Sequence, residues 1–205
     1  MLMLKNFWRI TKENKANILI SVVIFFLSIV VGYLFIDESN PLIQTLFDEL
    51  KKIVERIKEN DTTAFMIYTI FLNNLFAAIR MVLFGIFFGV FPIIALLTNG
   101  IVIGYFLKNS ILPNGLLVFL TGILPHGIIE IPAIIIAAAY GMKLGFSFIK
   151  LLAGVFNKEK QRNNIVGLKE TIKQIPTVLL GLTLLLFVAA IIESTLTGYL
   201  LAFIQ

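Results

Sequence analysis

Long apolar runs, each near the length that crosses a bilayer, alternate with short charged stretches along this chain. A hydrocarbon core about 30 Å thick needs about 20 helical residues at 1.5 Å rise each. Residues 18–36 meet that length and predict a first membrane helix. From Thr62 to Leu107 the chain is almost continuously apolar, enough for two spans. Pro92, near the middle, predicts the break, which gives helices over 63–90 and 93–107. The third span is short and holds Asn99, Gly100 and Gly104, so a tilted or re-entrant segment buried against protein is open. A fourth helix over 115–140 contains Pro125, Gly127 and Pro132 and is expected to be kinked or split, because Pro132 releases the carbonyl of Ile128. A fifth covers 176–192. The expected fold is all-α: one polytopic integral membrane domain over 1–205 with about five transmembrane helices, the third and fourth short or broken.

Two stretches between the spans are amphipathic. Leu42, Leu46, Leu50, Ile53, Val54 and Ile57 recur every three to four residues among charged ones, which predicts a surface helix over 41–60. Residues 143–156 show the same pattern and lead into a polar stretch to Gln174, so 143–174 reads as a connector outside the bilayer.

Composition agrees with lipid as the solvent. The chain is 59% hydrophobic and 14% charged, against about 45–50% and about 25% in soluble domains, and it lacks the polar residues to cover a water-facing exterior. Without cysteine, disulfides, thiolate zinc sites and a cysteine nucleophile are excluded. The net charge of +5 does not point to nucleic acid, because the cations flank apolar runs instead of forming a stripe. The first run is too long for a secretory leader and no small-x-small cleavage site follows it, so it reads as a retained helix. Lys and Arg concentrate in the amino-terminal tail and in 143–174, whereas acids outnumber bases over 37–62. Five crossings then place the amino terminus on the cytoplasmic side of the cell membrane, with the amphipathic segment and the carboxyl terminus outside.

The informative residues are the polar ones inside apolar runs, since an ionisable group at membrane depth costs a few kcal/mol. They fall into three clusters: Asn73, Asn74 and Arg80; Thr98, Asn99 and Gly100; and Pro125, His126, Gly127 and Glu130. His126, the one histidine, precedes Glu130 by four residues, which puts both on one face of a helix. Three chemistries stay open for that pair. It can be a structural hydrogen bond with Arg80 as countercharge, a site for a divalent metal such as zinc, completed by a second copy of the chain, or a proton or ion relay. Gly85 and Gly89, and Gly100 and Gly104, form small-xxx-small pairs that allow close backbone approach. No phosphate-cradling loop, nucleophile elbow or paired-histidine zinc motif is present.

The runs FLNNLFAAIR over 71–80, LLTNG over 96–100 with Gly104, and LPHGIIEIPA over 124–133 resemble the stage II sporulation protein M family, as does the small-residue stretch that follows to Gly141. The resemblance extends from the first helix to the fifth. It implies a multi-pass membrane protein that recruits and scaffolds the cell-wall-degrading sporulation proteins D and P during engulfment, and a functional motif of Asn73, Asn74, Arg80, Asn99, Gly100, Pro125, His126, Gly127, Glu130 and Pro132. The leading expectation is a non-enzymatic scaffold, homodimeric in the bilayer. The alternative is a transporter, channel or permease subunit with a His126, Glu130 and Arg80 centre, and a metal-dependent intramembrane hydrolase comes third.

Overall fold

The computed structural model describes the backbone of residues 2–37, 40–41, 43–45, 48, 52, 55 and 62–197, and their side chains except at 2–3, 110–126 and 196–197. The described residues fold almost wholly into helices. They are α1 (Leu2–Glu13), α2 (Lys15–Phe35), α3 (Thr63–Leu83), a 3-10 turn (Phe84–Ile86), α4 (Val90–Ala153), α5 (Lys158–Ile192) and a terminal π turn (Glu193–Thr197). Five stretches are long and apolar enough to cross a membrane: Lys15–Phe35, Thr63–Ile86, Val90–Asn109, Gly127–Ala153 and Lys158–Thr195. The chain is a multi-pass membrane protein.

Helical backbone continues through the 64 residues of α4, yet α4 is not a straight rod. A Cβ on Gly141 would lie 3.1 Å from the Pro92 ring, and one on Gly89 would lie 3.4 Å from the backbone of Met142. In a straight helix Pro92 and Gly141 would stand about 73 Å apart. The two described arms of α4, Val90–Asn109 and Gly127–Ala153, therefore lie antiparallel, side by side.

Other contacts set the remaining directions. Asn74 and Met81 of α3 meet Glu130 and Gly141, so α3 runs parallel to the second arm. Ser28 and Ile29 of α2 meet Gly100 and Gly104, so α2 runs parallel to the first arm. The ends of that pair are tied where the Lys108 ammonium donates to the Asp37 carboxylate at 2.9 Å. α5 is antiparallel to the second arm, because Asn164 faces Lys150 and Thr171 faces Tyr140. The five crossings thus alternate in chain order, which places Asn14, the 84–89 turn and the 154–157 turn at one end of the bundle and Ile36, Asp37 and Thr62 at the other.

The second arm is the axis of the fold. Of its most apolar window 72% is buried, against 22–33% in the other four spans. Ala133, Ala137, Ala138, Ala139 and Gly141 keep this arm slim, and Met81, Val82, Leu96, Leu182 and Leu186 close around it. The outer spans turn large apolar side chains outward, such as Phe26, Leu27 and Leu34 of α2 and Leu184 and Phe187 of α5. Lipid is the fitting solvent for such faces.

Some boundaries differ from the sequence-based expectation. The second span ends at the 3-10 turn Phe84–Ile86, followed by left-handed Phe88 (φ 58°) and Gly89 (φ 74°), and not at Pro92. Pro92 lies in the first turn of α4, where a missing N–H leaves no hydrogen bond unmade. Gly127–Ala153 is helical across Pro132. The expected polar connector before the last span is helix as well: α5 begins at Lys158, and the Asn157 side chain caps it by accepting from the Lys160 N–H at 3.0 Å. A run of polar contacts joins α5 to the end of α4. The Tyr140 hydroxyl donates to the Thr171 carbonyl (2.7 Å), the Lys143 ammonium donates to the Gln174 side-chain oxygen (2.9 Å) and the Asn164 amide donates to the Lys150 carbonyl (2.6 Å). Of the surface helix expected over 41–60, Pro41, Ile43–Thr45, Asp48, Lys52 and Glu55 are helical, and the rest lies outside the described residues.

Candidate functional site

α3 and the second arm of α4 cross in parallel and bring one carboxylate to one amide. Glu130 is 5% exposed, and the Asn74 amide donates to its Oε2 at 2.8 Å. Gly141, which marks the level where α3 ends, lies eleven residues further along the arm, about 16 Å of helix. Glu130 therefore sits deep within the spans. A carboxylate there needs donors in place of water, and Asn74 supplies one from another helix. Asn73, exposed, faces Asn74 at 3.5 Å.

The other motif residues occupy different surfaces. Arg80 is one of them. It is exposed in the last turn of α3, where its Nε donates to the Phe76 carbonyl at 3.2 Å, a place where a cation complements the unpaired carbonyls of a helix end. The Asn99 amide donates to the Ala95 carbonyl of its own helix at 2.8 Å. Gly100 belongs to the contact with α2, where a Cβ would run into Ser28 and the Phe25 carbonyl. Gly127 is partly exposed, and Pro132 is exposed on the outside of the arm. The side chains of Pro125 and His126 lie outside the described residues, and with them the expected His126–Glu130 pair. Among the described residues no three His, Asp or Glu side chains converge as metal ligands.

The sequence offers Gly85/Gly89 and Gly100/Gly104 as sites of close approach, and the structure adds the surfaces that face them. A Cβ on Gly85 would meet the Gly141 carbonyl, and one on Gly145 would meet the Gly89 backbone. The Gly85-xxx-Gly89 pair therefore faces a second pair, Gly141-xxx-Gly145, at the end of α3, and the backbones touch. The four-residue spacing of Gly141 and Gly145 was the signal available. The second surface is a stripe of Ser21, Phe25, Ser28 and Gly32 buried on one face of α2. Its spacing of four, three and four is that of one helix face, where Ser28 admits Gly100 and Gly32 admits the backbone of Ile101.

These contacts define a class: a five-span helical membrane protein whose spans are drawn together by glycine-to-backbone contacts around a buried carboxylate–amide pair. The chain belongs to the stage II sporulation protein M family, whose profile matches residues 21–198. It is also similar to an uncharacterized protein of Methanocaldococcus jannaschii, 31% identical over 191 residues that cover 90% of this chain and 83% of that protein. No solved structure matches.

Proposed function

We propose that this protein is a membrane scaffold: a homodimer that holds extracytoplasmic partners through the acidic segment at 37–61, in the manner of the sporulation proteins it resembles. By that resemblance the partners are cell-wall-degrading proteins of the D and P type. The positive-inside rule sets the amino terminus in the cytoplasm and the carboxyl terminus outside. The observation that carries the reading is the closed packing of the axis. Gly85, Gly89, Gly141 and Gly145 place backbone against backbone, and the Glu130 carboxylate is held by an amide of another helix. A packed core resists continuous deformation, which suits a platform better than a moving path.

A photo-crosslinker placed at Lys52 in the full chain in its host membrane tests the proposal. The expected result is an adduct with a surface wall-degrading protein that is lost in an Asp48→Lys, Glu55→Lys variant. An adduct indifferent to that charge reversal contradicts it.

One observation favours the transporter reading, namely an ionisable group at membrane depth in Glu130. Reconstituted protein that carries a pH-dependent flux, lost in Glu130→Gln, would establish that reading in place of the scaffold.

A further inference from the structure

α1 leads into α2 through the single residue Asn14, so it lies at the entry to the first span. One side of α1 is fastened to α5: a Cβ on Gly181 would run into the Phe7 ring, and Ile10 joins the buried cluster of Val178 and Leu182. These α5 residues belong to a membrane-crossing stretch, so α1 is held against the part of the bundle that lipid surrounds.

The opposite side of α1 has a different composition. Leu4 and Trp8 are 47% and 50% exposed. They stand among Lys5, Arg9 and Lys12, spaced four and three residues apart and therefore on one helix face. These five side chains and Glu13 line an open groove of about 650 Å³. None of the three cations forms an ion pair with a described residue. A solvated basic helix has no reason to expose indole and leucine between its cations. A helix at a lipid interface does, because indole settles at headgroup level and the cations meet phosphate.

The geometry points to α1 as a binding site for the headgroup of an anionic phospholipid in the adjoining leaflet. Lys5, Arg9 and Lys12 take the phosphate, and Leu4 and Trp8 lie along the glycerol and the first acyl carbons. The anionic component of a leaflet draws basic residues near its surface, and α1 adds a groove that retains one such lipid.

Trp8 is the one tryptophan in the chain, so its fluorescence reports from the site. The full chain is reconstituted in phosphatidylcholine vesicles containing a minor fraction of brominated phosphatidylglycerol or, in parallel, the same fraction of brominated phosphatidylcholine. Stronger quenching by the anionic lipid is expected. The excess should fall about fivefold for each cation removed in Arg9→Gln and Lys12→Gln. It should persist in Lys160→Gln, Lys169→Gln, which removes two charges from α5 beyond the junction. Equal quenching by the two lipids, or equal loss in the α5 variant, overturns the site. Loss of the excess on adding millimolar inorganic phosphate overturns the lipid assignment in favour of a soluble anion.

Discussion

Asn74 and Asn99 are both amides inside apolar helices, and the sequence treats them alike. The structure separates them by what their donors reach. An amide that crosses a membrane-helix interface contributes about 0.6 kcal/mol on average, but Asn74 donates to a buried carboxylate, and taking one donor from a buried acceptor costs about 1–3 kcal/mol. Asn99 donates only to a carbonyl of its own helix. Asn74→Ala is expected to lower stability by about 1–3 kcal/mol and Asn99→Ala by less than about 0.5 kcal/mol, read from thermal unfolding of the purified protein in one detergent. Equal effects would show that Glu130 does not depend on Asn74. Residue types alone selected Glu130 and its neighbourhood, because a carboxylate in an apolar run is conspicuous. They could not select the donor that α3 supplies, since Asn73, Asn74 and Arg80 all lie on α3 and only the helix crossing decides which side chain faces the second arm.

At the scale of elements, the spans were legible and the turn between the second and third was not. Length and hydrophobicity mark a crossing helix whatever it packs against. The residues 84–89, however, are Phe, Gly, Ile, Phe, Phe and Gly, as apolar as the helices they join, so hydropathy carries no sign of a turn there. The backbone needs of Gly89 and the contacts of Gly85 with Gly141 make the turn, and both are properties of the packed structure. The helix over 158–174 was missed for the opposite reason: its polar composition reads as a connector, although Asn157 offers a cap. Glycines in the two settings should respond in opposite senses. A Cβ on Gly141 would fall on the Met81 carbonyl, so Gly141→Val is expected to cost about 1–3 kcal/mol or to prevent folding. Gly167 has nothing within 4 Å of its Cβ position, so Gly167→Ala should stabilise α5 by up to about 1 kcal/mol. Comparing the unfolding temperatures of the two variants checks both directions, and a stable Gly141→Val would refute the backbone contact.

For the whole molecule, the alternation of five spans joins the fold to the proposed function, because it separates two unlike surfaces. The end of α2 and the start of α3, which the acidic segment joins, lie at one end, where Asp37 meets Lys108. At the other end lie the entry to α2 and the basic helical hairpin of α4 and α5, whose tip exposes Phe156 completely. A scaffold for extracytoplasmic partners requires the acidic segment and the hairpin tip to face opposite compartments. The absence of cysteine permits a direct test with single cysteines at Lys52 and Phe156, labelled by a membrane-impermeant maleimide on intact spheroplasts and on inverted vesicles. Lys52→Cys is expected to label only on spheroplasts and Phe156→Cys only on inverted vesicles. Labelling of both positions from the same side would contradict the five-crossing arrangement and the scaffold that rests on it.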